Sequence, residues 1–485
     1  MDLNTKQEDL PTIRQRAVKG VAYLLGRTFL IQLISFFSVF LLTIFLDPSQ
    51  FGTFFLVSAV VNFFIYFSDI GLAAALIQKK EHPTESELKT TFTIQQSLVV
   101  LIVILIFLAT PTFRNWYGFN QESIYLLWAL TISLLLSSLK SIPSVLLERR
   151  LEFNKLVIPQ IVETIVFYFL AVYLAWKGFG ITSFTIAVLV RGLVGLILIY
   201  MLKPWMPGLA FAKDSLRSLL KFGIPYQVNT FLAVLKDDGL IAVLGVILGT
   251  SGIGFLGWAQ KWANASLRFF MDPVIKVTFP AYARMQHNKK ELSKAVSYSL
   301  TFICLLVFPA ILGLILIAPV LVEIIPKYEK WQPALLALSL IGVNAAFAAV
   351  TTPLTNLLNA IGKIYLTFRF MVMWTALTWI LVPILSLIYG VSGAALGFAI
   401  VGISSIVAIY ISLKNVSVNF LSTVGRPFLA TTIMGSVIFL TGQFFENSSF
   451  KLLILIILGM LTYGVVIFVI AGEFIKRAVK LIKNE

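Results

Sequence analysis

The sequence predicts an all-α polytopic membrane protein of about fourteen transmembrane helices, built as two six-helix lobes in parallel pseudo-repeat plus two C-terminal helices. Three observations lead there. Of the 485 residues, 59% are hydrophobic and 12% charged, whereas soluble domains carry roughly 45–50% apolar and about 25% charged residues. The apolar residues gather into segments of crossing length, for which about 20 residues suffice. The basic residues fall on alternate connections, as the positive-inside rule requires of a multi-pass chain.

The segments run, in order, over 20–46, 51–78, 90–111, 123–147, 155–176, 180–202 and 217–248. The second half continues over 252–283, 295–320, 333–360, 364–389, 391–413, 427–443 and 452–473. Charged or Gly/Pro punctuation separates them. The first ends at the turn Asp47-Pro48-Ser49-Gln50, the second at Lys79-Lys80 and the sixth before the polar linker 203–216. The seventh is long and carries Lys236-Asp237-Asp238-Gly239 at mid-length; the thirteenth is short. This divides the chain into an N-tail (1–19), an N-lobe (20–202), a linker (203–216), a C-lobe (217–413), a terminal pair (427–473) and a C-tail (474–485).

With the N-terminus cytoplasmic, inside connections and tails hold 26 of the 38 Lys and Arg residues and outside ones hold five, Arg114, Lys177, Lys327, Lys330 and Lys451. Adding or dropping one crossing scrambles this asymmetry, so a multi-pass protein of the inner (cytoplasmic) membrane with both termini cytoplasmic is expected. The polar, acid-containing start does not resemble a cleaved signal peptide. The formal charge of +16 therefore reads first as topology, and nucleic-acid binding is not expected.

A weak internal repeat supports parallel halves. At an offset of 202 residues Leu46, Ser49, Gly52, Asn62 and Phe67 fall on Leu248, Ser251, Gly254, Asn264 and Phe269. Six spans separate the copies, which keeps their orientation the same and directs attention to a site between lobes.

Seven bases remain inside spans: Arg27, Lys140, Arg191, Lys236, Lys261, Arg268 and Lys276. Five acids join them: Asp69, Glu163, Asp237, Asp238 and Asp272. Each would cost about 2.5–3.5 kcal/mol at mid-bilayer, so they are expected to face protein or a wet cavity. Lys261, Asn264, Arg268, Asp272 and Lys276 follow spacings of 3, 4, 4 and 4, which puts them on one helical face as a ladder roughly 22 Å long. The matching stripe on span two is Ser58, Asn62, Tyr66 and Asp69. The charges of span seven cannot share one face of a regular helix, and Gly239 would permit a local break that serves as an ion- or proton-responsive hinge. The plainer role for all of these groups is helix-locking ion pairs, with Arg27, Lys140 and Lys276 reaching an interface by snorkelling.

Several chemistries are excluded. One cysteine (Cys304) and two separated histidines (His82, His287) leave no zinc site, disulfide or Cys/His nucleophile pair. Gly252, Gly254 and Gly257 spell GxGxxG without the strand a dinucleotide site needs, and no P-loop is present. Gly393 and Gly397 form a GxxxG that lets span twelve approach a neighbour. Trp258 and Trp262 are expected in an interfacial belt, with sugar stacking as the lesser alternative. No catalytic residue, cofactor or metal is expected.

The run Leu46-Asp47-Pro48-Ser49-Gln50-Phe51-Gly52, then Asp69-Ile70-Gly71-Leu72 and Ala75-Leu76-Ile77-Gln78, resembles the first two helices of bacterial polysaccharide and oligosaccharide-lipid flippases of the multidrug/oligosaccharidyl-lipid/polysaccharide exporter superfamily. Phe222-Gly223-Ile224-Pro225, Phe279-Pro280-Ala281-Tyr282-Ala283-Arg284, Trp331-Gln332-Pro333-Ala334 and Asn359-Ala360-Ile361-Gly362 resemble later landmarks of that family, in the same order. The loop Pro326-Lys327-Tyr328-Glu329-Lys330 departs from it, since a glycine is common there in relatives. The resemblance implies alternating-access export of an undecaprenyl-pyrophosphate-linked oligosaccharide through a cationic lumen, with membrane lipids and other polysaccharide-assembly proteins as partners. Residues expected to contact substrate are Arg191, Lys236, Lys261, Asn264, Arg268, Lys276, Arg27, Lys140 and Asn62. Asp69, Glu163, Asp237, Asp238 and Asp272 are expected to form the charge network that couples to H+ or Na+. A cation-coupled drug or metabolite exporter of the same fold is the alternative, and a membrane glycosyltransferase or polymerase a weaker one.

Overall fold

The computed structural model describes residues 10–79 and 81–483, in which helices are the regular elements and no strand occurs among the described residues. The N-tail's first nine residues, Lys80 and the last two residues of the C-tail lie outside the described residues. In chain order the helices begin with α1 (Leu10–Phe45), α2 (Pro48–Ile65), α3 (Leu72–Gln78), α4 (Glu85–Tyr117) and α5 (Gln121–Leu139). They continue with α6 (Ser141–Arg149), α7 (Phe153–Trp176), α8 (Thr182–Leu202), α9 (Lys213–Val234) and α10 (Leu240–Met285). The last five are α11 (Lys289–Ile324), α12 (Leu335–Ala360), α13 (Ile364–Leu413), α14 (Arg426–Gly442) and α15 (Ser449–Lys483).

Twelve helical stretches among the described residues are long and apolar enough to cross a membrane. Two of them, Phe231–Met285 and Ile364–Leu413, run to 55 and 50 residues, about twice what one crossing needs. Each is interrupted where a glycine leaves helical geometry, Gly249 at φ 65°, ψ −178° and Gly390 at φ 58°, ψ −136°. Around Gly390 the chain doubles back: a Cβ on Gly393 would collide with the Leu385 carbonyl, and one on Gly397 would lie 2.9 Å from Val382 Cα. The GxxxG pair is thus the contact face of a helical hairpin, and the neighbour it approaches is the other half of α13.

Polar caps set the starts of the spans. Thr84 and Glu87 form a reciprocal box at α4, with Glu87 N–H donating to Thr84 Oγ1 (3.2 Å) and Thr84 N–H to Glu87 Oε2 (2.9 Å). At α2, Pro48 occupies the first turn and the Asp47 N–H donates to Gln50 Oε1 at 3.0 Å. Asn120 and Asn288 accept from the first amides of α5 and α11. These side chains take up amides that a helix end leaves without internal partners.

The chain divides into two compact units, Met1–Ile253 and Gly254–Glu485. In the first, an inter-helix core of Leu72, Leu76, Phe92, Ile142 and Trp205 packs beneath the end of α3. Arg149 closes that end: its guanidinium donates to the carbonyls of Leu76, Ile77, Lys79 and Glu81. Beside it Lys79 donates to Glu87 Oε1 at 2.6 Å, a bond that holds the Lys79 pKa above its ordinary value. The second unit is anchored by aromatic rings. Trp258 stacks on Trp331 (centroids 5.6 Å apart, 13° between planes), and its indole N–H donates to the Tyr328 hydroxyl at 3.0 Å. Trp258 is 3% exposed, which overturns the interfacial belt or sugar platform expected of it; the ring is core, because Tyr328 meets its one polar atom.

Two of the landmark motifs meet in the first unit. Gly71, at φ 70°, and Gly223 bring their backbones together so closely that a Cβ on either would overlap the other strand of chain. The Tyr66 hydroxyl and Gln227 amide bridge the same pair of segments by donating to each other's backbone carbonyls. Gly223→Ala is expected to destabilise the protein by about 1–3 kcal/mol through overpacking, read as a lower melting temperature in detergent, whereas Gly26→Ala, with open space at its Cβ, leaves it unchanged.

Candidate functional site

Four of the charged residues singled out in the sequence converge on one cavity of about 440 Å3 in the first unit. Arg27 comes from α1, Lys140 from the joint between α5 and α6, Glu163 from α7 and Arg191 from α8. Lys140 can reach inward because the span is broken there: its N–H bonds back to Ser137 instead of continuing the α-helical ladder. The Tyr200 hydroxyl donates to the carbonyl of Leu139 at that break (3.1 Å), the kind of substitution a bilayer-embedded break needs.

Glu163 is the centre of the arrangement and is 8% exposed. Lys140 Nζ lies 2.7 Å from its Oε1, and Arg191 Nε 3.7 Å from its Oε2. A Cβ on Gly195 would overlap the Glu163 carboxylate, so the glycine opens the space in which the acid sits. Arg27 Nη1 donates to Gln160 Oε1 at 2.6 Å. The Arg191 guanidinium carbon also stands 5.6 Å from the centroid of the Phe167 ring, within cation–π range. Three cations and one carboxylate leave the cavity two positive charges in excess. With Lys140 paired inward, Arg27 and Arg191 are the groups best disposed to meet an anion.

Gln160, Thr164, Ser137, Ser141 and Ser144 complete the polar lining and were missed in the sequence. The signal was present: Gln160 precedes Glu163 by three positions on one helical face, and Ser137, Ser141 and Ser144 flank Lys140 at spacings of four and three.

A second group lies at the end of α9. Residues Leu235–Gly239 form a π-helical turn, a distortion that often accompanies function, where the sequence suggested a break at Gly239. It exposes Asp237, which Lys236 approaches at 3.1 Å, and lets Asp238 hydrogen-bond Asn62 of α2. Asp69 stands apart from this group. Its Oδ1 accepts the backbone N–H of Leu72 (2.8 Å) and Ala73 (3.3 Å), which caps α3.

The third group is the ladder on α10, within the second unit. Ala259, Ala263, Leu267 and Met271 are buried, while Lys261, Asn264, Arg268 and Lys276 are exposed and Asp272 is half-buried. At 100° per residue the two sets form separate stripes that run along the helix about 100° apart. Asp272 feels the positive charge of both Arg268 and Lys276.

The model of a family described as polysaccharide biosynthesis protein matches residues 41–335, more than half of the chain. The chain belongs to that family. Among curated relatives, the lipopolysaccharide biosynthesis protein WzxC of Escherichia coli (strain K12) is 25% identical over 416 residues, covering 84% of this chain and 82% of that one. The teichuronic acid biosynthesis protein TuaB of Bacillus subtilis (strain 168) is 23% identical over 436 residues, with 86% and 88% covered. The fold of the lipid II flippase MurJ in an inward closed conformation superposes with a TM-score of 0.77 at 18% identity, over 94% of this chain and all of that one. The resemblance read from the landmark motifs is thereby borne out, and the fold of that solved structure matches the all-helical architecture.

Removing the acid from the Lys140–Glu163 pair leaves a shielded cation without a partner, which costs about 3–5 kcal/mol where such pairs have been broken. Glu163→Gln is expected to lower the detergent melting temperature more than the double change Glu163→Gln/Lys140→Met; equal loss in the two variants contradicts the pairing.

Proposed function

We propose that this protein is a flippase for an undecaprenyl-pyrophosphate-linked oligosaccharide, a cell-surface polysaccharide precursor, which it moves across the cytoplasmic membrane by alternating access. Membership of a polysaccharide biosynthesis family supports the class of cargo. The observation that carries the chemistry is the cavity of Arg27, Lys140, Glu163 and Arg191. A pyrophosphate offers several anionic oxygens, and guanidinium groups meet such oxygens in pairs with charge-assisted hydrogen bonds. Gln160 and the three serines add neutral partners suited to sugar hydroxyls. The exposed ladder of Lys261, Asn264, Arg268 and Lys276 in the second unit offers donors of the same chemistry, and the polyprenyl tail stays in lipid.

The chain acts as a transporter and not as an enzyme in this reading. Both termini are cytoplasmic, following the 26-to-5 distribution of bases. Coupling to H+ or Na+ rests on Asp237, Asp238 and Asn62 at the π-turn. Asp69 is set aside, since its carboxylate already accepts two amides.

Arg27→Ala/Arg191→Ala is expected to reduce surface glycan export at least tenfold while leaving membrane insertion and melting temperature close to those of the unaltered chain. Arg27→Lys/Arg191→Lys keeps the charge but not the paired donors and is expected to fall between. Full export by the double alanine variant, at equal protein level, overturns this site assignment.

A further inference from the structure

The second unit holds a cavity of about 630 Å3 that the transport reading does not use. It lies at the start of α11 and the start of α14, with Lys289, Lys290, Lys294 and Arg426 in its wall and no carboxylate among its lining residues. Glu291 of the same helix is exposed and accepts from Lys294 at 3.2 Å. Ser293 joins the two walls through its contact with Ser417, the hydroxyl oxygens 3.2 Å apart.

The decisive feature is the gradient along each wall. On α11, Lys290, Lys294, Tyr298 and Phe302 recur every four residues, so they share one face that passes from cationic to amphipathic to apolar in three turns. Tyr298 and Phe302 are exposed, as are Phe428 and Leu429 just beyond Arg426 on α14. Both helices belong to membrane-crossing stretches that begin at this level. A soluble anion would need only the cations. A phosphate head with acyl chains attached matches the cations and the exposed apolar surface one and two turns deeper.

We infer that this cavity is a binding site for an anionic phospholipid, its phosphodiester held by Lys290, Lys294 and Arg426 and its acyl chains laid along Tyr298, Phe302 and Phe428. The lipid is a structural or regulatory ligand separate from the transported cargo. By the charge bias the site faces the cytoplasmic leaflet, whose anionic lipids attract basic groups by roughly a factor of five each. Its occupation ties the start of α14 to α11, across the π-helical turn Leu421–Gly425.

Native mass spectrometry of the full-length chain in detergent tests this, with phosphatidylglycerol, phosphatidylcholine and tail-free glycerol 3-phosphate as probes. Phosphatidylglycerol is expected to bind in clear preference to phosphatidylcholine. Lys290→Gln/Lys294→Gln/Arg426→Gln should weaken it on the order of a hundredfold, taking about fivefold per cation. The charge-conserving Lys290→Arg/Lys294→Arg/Arg426→Lys should keep it, and Arg426→Gln alone, with about a fivefold loss, serves if the triple variant does not fold. Equal binding of the two lipids, or undiminished binding by the glutamine variants, overturns the proposal. Displacement of phosphatidylglycerol by glycerol 3-phosphate at equal concentration overturns it as well, by making the site one for a soluble phosphate. None of these outcomes bears on glycan export, so the transport reading stands or falls separately.

Discussion

Inside a bilayer no water is available to satisfy a backbone amide or carbonyl, so each break in a helix has to be repaired by a named group. That constraint organises this molecule. Where the span containing Lys140 is interrupted, the Tyr200 hydroxyl takes the Leu139 carbonyl. The same accounting holds at the end of a span: beyond α2, Asp69 accepts the two leading amides of α3, and where α3 ends, Arg149 accumulates four carbonyls. The breaks at Gly249 and Gly390 use the one residue type that adopts positive φ without strain.

The breaks also bring charge to where it can act. Lys140 reaches Glu163 because its helix stops short of continuing past it. Asp238 reaches Asn62 from a π-turn that offsets α9 from α10. In both cases a local departure from the α-helical ladder directs an ionisable group toward other elements of the same unit. Neutralisation then decides what remains: one buried acid answers part of the positive charge of three bases, and the cavity keeps a net positive charge.

Much of the candidate site could be read from the sequence as a list, and little of it as a grouping. The bases and acids inside spans were identifiable one by one because a charge in an apolar segment stands out. Their partition into a cavity around Glu163, a π-turn and an α10 ladder was not, since Arg27 and its partner Gln160 lie 133 positions apart. Periodicity did succeed within single helices: the α10 ladder emerged as one stripe, separate from the buried stripe of Ala259, Ala263 and Leu267. It failed for Trp258, whose apolar character and position near a span end suit an interface as well as a core, and only the arrival of Tyr328 and Trp331 from a distant loop separates the two.

By itself the sequence determined the membrane class, the presence of many apolar segments of crossing length, the bias of basic residues and the family to which the landmark motifs belong, because hydropathy, charge and short motifs are local properties carried by each segment. The tertiary structure alone decided which charges pair with one another and which share a cavity. It also decided that Gly71 and Gly223 are glycine because two backbones touch there. Both depend on distances between segments far apart in the chain, and packing sets those distances where no local pattern encodes them.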